Sequence, residues 1–166
     1  MHLARTALAA ASVVASALST PASAQTIQAE NFAQLPGGQL LVVEFAPGVP
    51  DAIYVADRTG LVWRYANGAF DSTPFLDITD RVEIQGEGGF IGFTFHPDFQ
   101  GNGYIFVSYT NDAASGDSVQ SRISVPDPTT ATFAAPSTAT LLLPPLAHAG
   151  TIHKAGDLEF GVDGML

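Results

Sequence analysis

The chain has 166 residues, 46% of them hydrophobic and only 13% charged, with six Lys and Arg against sixteen Asp and Glu for a formal net charge of −10. So acidic a balance repels phosphate backbones and anionic lipid, which argues against nucleic-acid and membrane-surface functions. Cysteine is absent, so disulfides, thiol chemistry and cysteine metal sites are excluded and burial alone must hold the core.

The first 24 residues differ in kind from the rest. Met1 to Arg5 carries the early positive charge, Thr6 to Ser19 is an Ala/Val/Leu run, and Ala22-Ser23-Ala24 offers the small residues a signal peptidase needs. Residues 1–24 therefore read as a secretory signal peptide cut before Gln25, and the protein as secreted or periplasmic. About 14 apolar residues are too few to cross a bilayer, which needs roughly 20, so no membrane span is expected after the signal is removed.

Residues 25–166 read as β. Short apolar, β-branched or aromatic runs occur at Leu40–Phe45, Ala52–Ala56, Leu61–Tyr65, Phe90–Phe95, Tyr104–Tyr109, Ser121–Val125 and Leu141–Leu143, each bounded by Gly, Pro, Asn or Asp and too short for a helical period. Asp57-Arg58-Thr59-Gly60 puts Gly where a hairpin needs a positive φ, and Asn67-Gly68 is a strong two-residue hairpin signal. The segment 111–117 is a polar loop tip, and Pro126–Ser137, rich in Pro, Thr and Ala, is expected as an irregular connection.

Three times a strand ends in Phe, a turn follows and apolar sequence resumes, around Phe45, Phe95 and Phe160. Spacings of 50 and 65 residues with strand-only content predict repeated four-stranded blades. Four strands fit before Gly86 and four more before Ala155, so the expectation is an all-β, incomplete β-propeller: two antiparallel blades plus the inner strand of a third at "DLEFG". Two blades cannot close a ring, and an open edge is expected.

The densest segment for chemistry is Gln85–Thr110. Gly86, Gly88 and Gly89 surround Glu87 just before a strand, which lets backbone approach a neighbour or a ligand closely. Glu87 then reads either as a solvated carboxylate in a tight connection or as a contact at a blade rim. In His96-Pro97-Asp98-Phe99, Pro97 sets a turn, Asp98 accepts bonds from nearby backbone N–H groups, Phe99 tucks onto the core and His96 packs at the corner, so the motif reads as structural. His153 lies at the entrance to the third inner strand, where an imidazole could act as general base near neutral pH or be a plain loop residue. His148 offers less. "GEGGFIG" opens a strand, not a helix, so it is no dinucleotide fingerprint. Ser108 and Ser121 lack a nucleophile elbow, and Asp112 and Asp117 lack EF-hand spacing.

Taken together, "DAIYVADRTGLVWRY", "GEGGFIGFTFHPDFQGNGYIFVSYT" and "HKAGDLEFGVDGML" resemble the glucose/sorbosone dehydrogenase family, the soluble quinoproteins related to aldose sugar dehydrogenases. The likeness runs over residues 40–166. It implies a six-bladed propeller that binds pyrroloquinoline quinone at one end of its channel with calcium as an aid. It also implies a sugar substrate and a separate electron acceptor, with His153 as the catalytic base and Glu87 at a cofactor contact where relatives have Gln. Ile152 replaces an Asp that many glucose dehydrogenases carry beside the base, Lys154-Ala155 replaces Asn-Gly, and Val162 replaces Pro. The remaining cofactor and calcium ligands of the family would come from blades beyond Leu166, which reads the chain as an N-terminal fragment inactive by itself. A reading from a different class is a secreted, non-catalytic propeller module that binds carbohydrate or protein through its rim loops.

Overall fold

The computed structural model describes residues 28–111, 116–147, 150–154 and 156–166. The expected signal peptide, His148 and Asp112 lie outside these residues. Residues 28–31, the described part of a unit Met1–Asn31, carry no helix or strand; every described strand belongs to the unit Phe32–Leu166.

Strands β1 (Leu40–Glu44), β2 (Ala52–Asp57) and β3 (Leu61–Ala66) form an antiparallel meander, and two short pieces, β4 (Ala69–Phe70) and β5 (Leu76–Asp77), pair with opposite ends of β3. Between them the Asp71 and Phe75 N–H groups still donate to the Arg64 and Val62 carbonyls, so β4 and β5 together make one interrupted outer strand. The second sheet repeats the plan in the order β6 (Phe90–Phe95), β7 (Tyr104–Thr110), β8 (Ser118–Ser124), β9 (Ala135–Leu141), with a single helical turn α1 (Phe99–Asn102) between β6 and β7. Both first pairs are irregular at the same place: the β1–β2 register shifts between Leu40 and Val42, and the β6–β7 register shifts between Phe90 and Gly92. The expected spacing of 50 is therefore a repeat of backbone geometry as well as of sequence.

The hairpins form where their chemistry demands. Asn67 (φ 53°) and Gly68 (φ 83°) both take positive φ between paired Ala66 and Ala69, and Gly60 has φ 106°. A second device appears three times. Asp57, Asp77 and Asp127 each accept with Oδ1 from the N–H and the hydroxyl of the Thr two residues on, at 2.5–3.0 Å, which fixes a turn locally.

The two sheets pack with β1 beside β6 and β5 beside β9. Equivalent strands lie next to each other, as in neighbouring blades of a propeller-like fold. Alternation in β2 turns Tyr54 inward, where its ring meets Phe75 and Phe95 at 4.8 Å each. Phe93 stacks on Phe95 at 5.1 Å, and Phe99 of α1 closes on Phe95 at 4.8 Å. An aromatic cluster thus sits at the centre of a core that Ala, Val, Ile and Leu complete. The other face of the first sheet is open: Val43 and Phe45 are exposed, and a shallow cavity of about 200 Å³ lies among Phe32, Leu35, Val43, Ile53, Tyr65 and Phe70.

Two expectations need correction, and a third is placed by packing rather than by pairing. The segment Pro126–Ser137 is not irregular throughout, because β9 begins at Ala135 and ends at Leu141, so the expected Leu141–Leu143 run is only its last residue. The stretch Asp157–Gly161, expected as a third inner strand, pairs with no strand among the described residues. Its side lies against the second sheet, much as β6 lies beside β1: Gly156 sits on Ile91, Leu158 is near Gly92, and Phe160 packs on His96 and Phe106 at 5.2 Å. Finally, the Asp98 carboxylate makes no capping bond; it is the Asp98 carbonyl that accepts from the Gly101 and Asn102 N–H groups at 3.1 Å.

The Tyr54 hydroxyl donates to the Ala131 carbonyl at 2.8 Å, tying the first sheet to the β8–β9 connection. Burial pushes its pKa from the ordinary 10.0 up to about 12. A raised phenol pKa means the folded state holds the proton more tightly, so this contribution is complete below pH 10 and is lost as pH rises through about 12. Tyr54→Phe is expected to cost about 1–2 kcal/mol at pH 7, because the buried Ala131 carbonyl loses its donor. Urea melts of both proteins at pH 7 and pH 11 check this: the gap must narrow at the higher pH.

Candidate functional site

The site grows from the turn after β2. Asp57 is fully buried and spends Oδ1 on Thr59, which leaves Arg58 at the apex of the hairpin with its side chain reaching the second sheet. Arg58 Nε donates to the Gly88 carbonyl at 2.8 Å and Nη2 donates to the Gly86 carbonyl, while the Arg58 carbonyl accepts from the Phe90 N–H at 2.9 Å. The loop leading into β6 is therefore laced to the first sheet at three points.

That loop needs its glycines. Gly89 has φ 141°, and a Cβ there would fall 2.7 Å from Arg58 Cγ, so a side chain is excluded by backbone conformation and by space. Its N–H donates to the Thr110 hydroxyl at 2.8 Å, which in turn donates to the Glu83 carbonyl at 2.6 Å. The close approaches that the sequence assigned to a neighbour or a ligand are here made by protein: Arg58, Thr110 and Thr151.

Glu87 stands exposed at the crest of this loop. Its N–H donates to the Thr151 carbonyl at 2.7 Å, and its Oε2 accepts from the His153 N–H at 2.6 Å. The two residues singled out by sequence, 66 positions apart, thus meet directly, through the carboxylate of one and the backbone of the other. His153 has φ 60°, a left-handed conformation that His tolerates better than most side chains but that still carries strain. Among the described residues nothing bonds its imidazole, and the side chain is exposed. An exposed imidazole can take a proton from a polar ligand, and the Glu87 oxygen that has no partner among the described residues can accept a further hydrogen bond.

The other histidine of the second sheet behaves as expected. His96 Nδ1 accepts from the Asp98 N–H at 2.9 Å and lies 2.9 Å from the Asn102 side-chain amide, and its ring packs between Phe160 and Phe106. It is a corner residue. Farther along β1, burial pushes the Glu44 carboxyl above the ordinary range, with Glu159 and Asp157 adding repulsion. Among the described residues no group of three or more His, Asp or Glu is placed to hold a metal. Sequence reading missed Arg58 and Thr151. "DRTG" was legible as a turn, but where the arginine reaches depends on how the two sheets pack.

Repeated antiparallel sheets with a polar junction of loops at one end define a propeller-like β protein. The match to known sequences is specific: the family model described as Glucose / Sorbosone dehydrogenase covers residues 41–166. The chain belongs to the glucose/sorbosone dehydrogenase family. Among curated proteins, the HIPL2 protein of Arabidopsis thaliana is 48% identical over 42 residues, which is 25% of this chain and 6% of that protein. Two solved structures share the fold over 76% of this chain. They are the PQQ-bound aldose sugar dehydrogenase of Streptomyces coelicolor (18% identity, TM-score 0.58, 36% of that chain) and the apo-form soluble aldose sugar dehydrogenase of Escherichia coli (19%, 0.58, 35%). The chain therefore matches about a third of the length of these structures and a smaller share of the curated relative.

Proposed function

We propose that this chain forms the first two blades of a six-bladed, exported quinoprotein that oxidises the CH–OH group of an aldose and passes electrons to a separate acceptor. In this reading residues 1–24 are its signal peptide, residues 25–166 belong to the propeller, and the periplasm or the exterior is its compartment. The observation that carries it is the junction of Glu87 with His153 in a chain of this family.

The residues present fit one part of the expected cofactor set. An exposed His153 whose backbone is held by Glu87, and a Glu87 carboxylate with one oxygen without a partner among the described residues, suit a sugar hydroxyl and a quinone, so Glu87 would contact pyrroloquinoline quinone and His153 would face the substrate. When bound, the quinone supplies the two-electron oxidant. His153 would take the proton of the sugar hydroxyl, the hydride on the same carbon being what the quinone would accept, and Glu87 holds the 151–153 segment in place through the His153 N–H. Calcium does not find a ligand set among the described residues, so no role is assigned to it.

The test is reconstitution. The whole propeller protein beginning with this chain, mixed with pyrroloquinoline quinone and an aldose, is expected to reduce an artificial electron acceptor, whereas the 166 residues alone are expected to give no turnover. Absence of turnover despite quinone binding would replace the enzyme with a binding module, and turnover by the 166 residues alone would refute the assignment of the remaining site to other blades.

A further inference from the structure

We propose that Arg58 is a positioning residue for the Glu87–His153 pair; its functional meaning rests on the dehydrogenase reading, while its structural claim stands on geometry. A guanidinium presents Nε–H and one Nη–H as two parallel donors in a rigid plane. Here those donors take the carbonyls of Gly88 and Gly86, the residues on either side of Glu87. The carbonyls of the residues just before and just after the carboxylate-bearing residue are thereby held by one side chain from the other sheet. Because Arg58 also accepts from the Phe90 N–H and crowds Gly89, the loop cannot slide along the turn.

With its flanking carbonyls fixed, Glu87 is left with its N–H on the Thr151 carbonyl and its carboxylate on the His153 N–H. The chain of contacts runs from the first sheet through Arg58 and the Gly86–Gly88 backbone to Glu87 and then to His153. Each end of that chain is a hydrogen bond rather than an ion pair, so what Arg58 supplies is direction. Lysine keeps the charge but cannot place two N–H donors in one plane. A methionine of similar length keeps the packing and donates nothing.

The experiment reads the amide of His153 in the isotope-labelled chain. A short N–H bond to a carboxylate draws the amide proton resonance downfield, and Glu87→Gln sets the value for the weakened bond. Arg58→Met is expected to lose at least half of the difference between wild type and Glu87→Gln at His153, and Arg58→Lys to lose an intermediate share. Val107 and Ile123, in the β7–β8 ladder, should stay in place in both. A folded Arg58→Met whose His153 amide is unmoved overturns the proposal, and if that variant does not fold, an unmoved amide in Arg58→Lys overturns it. A merely stabilising arginine would lower the melting temperature and leave the native amide position alone. In the whole propeller protein, titration with pyrroloquinoline quinone is expected to show about tenfold weaker binding for Arg58→Met. Failure of wild type to bind the quinone would sink the dehydrogenase reading, while the amide result would still decide the role of Arg58.

Discussion

Phe75→Ala is expected to lower the unfolding free energy by about 3–5 kcal/mol, a large part of the roughly 5–15 kcal/mol that holds a typical domain together. Phe75 lies in the gap between β4 and β5 and is completely buried. Its ring meets Tyr54 of the first sheet at 4.8 Å and Phe93 and Phe95 of the second at 6.4 and 6.1 Å, so it is packed by both. Its backbone does the same work: the N–H donates to the Val62 carbonyl at 2.7 Å, and the carbonyl accepts from Ala134, just before β9, at 2.8 Å. Truncation to Ala leaves a cavity that aromatic neighbours on two different sheets cannot collapse into without moving the sheets. Phe75→Leu retains most of the volume but loses the edge-to-face geometry, and should cost about 1–2 kcal/mol. Phe133→Ala, at a ring that is 54% exposed, should change stability by less than about 1 kcal/mol. Urea unfolding followed by the fluorescence of Trp63 measures all three. A Phe75→Ala loss below about 1 kcal/mol would mean that the two sheets do not share this core.

How much of this was legible in the sequence depends on how strongly each residue's role was local. β2, β6 and β7 are apolar, β-branched or aromatic and half-buried or more along their whole length, so their limits were readable within a residue. β9 was not. "APSTATL" is an outermost strand, largely exposed, whose hydrogen-bonded partner supplies the order that its apolar content does not. The stretch around Phe160 carries a good strand pattern, yet pattern alone makes no ladder, and it packs by its side chains on β6 and β7 instead. At the site, Glu87 and His153 were each visible from their neighbours in sequence, glycines in one case and the entry to an apolar run in the other. That the His153 N–H, not its imidazole, would seek the carboxylate could not be read, because a positive φ at a non-glycine residue is set by tertiary contacts. Arg58 was hidden for the same reason. A hairpin motif predicts its own turn and says nothing of the strand-to-strand distance its longest side chain must cross.

The second large effect is expected at His153 in the reconstituted propeller protein. Replacing it should lower kcat by about 100- to 10,000-fold, the range in which a positioned general base acts. The left-handed backbone at this position allows the chemical loss to be separated from a structural one. With φ 60°, Ala pays a steric cost there, Gly pays none and Asn little, and all three leave the N–H that Glu87 holds. His153→Gly and His153→Asn should therefore melt within a degree or two of wild type and still be as inactive as His153→Ala. Because the side chain is exposed, imidazole added to His153→Gly should restore a measurable part of the rate, which no repair of folding would do. If His153→Asn turns over at the wild-type rate, the imidazole is not the base, and the junction with Glu87 serves only to fasten residues 151–153 to the second sheet.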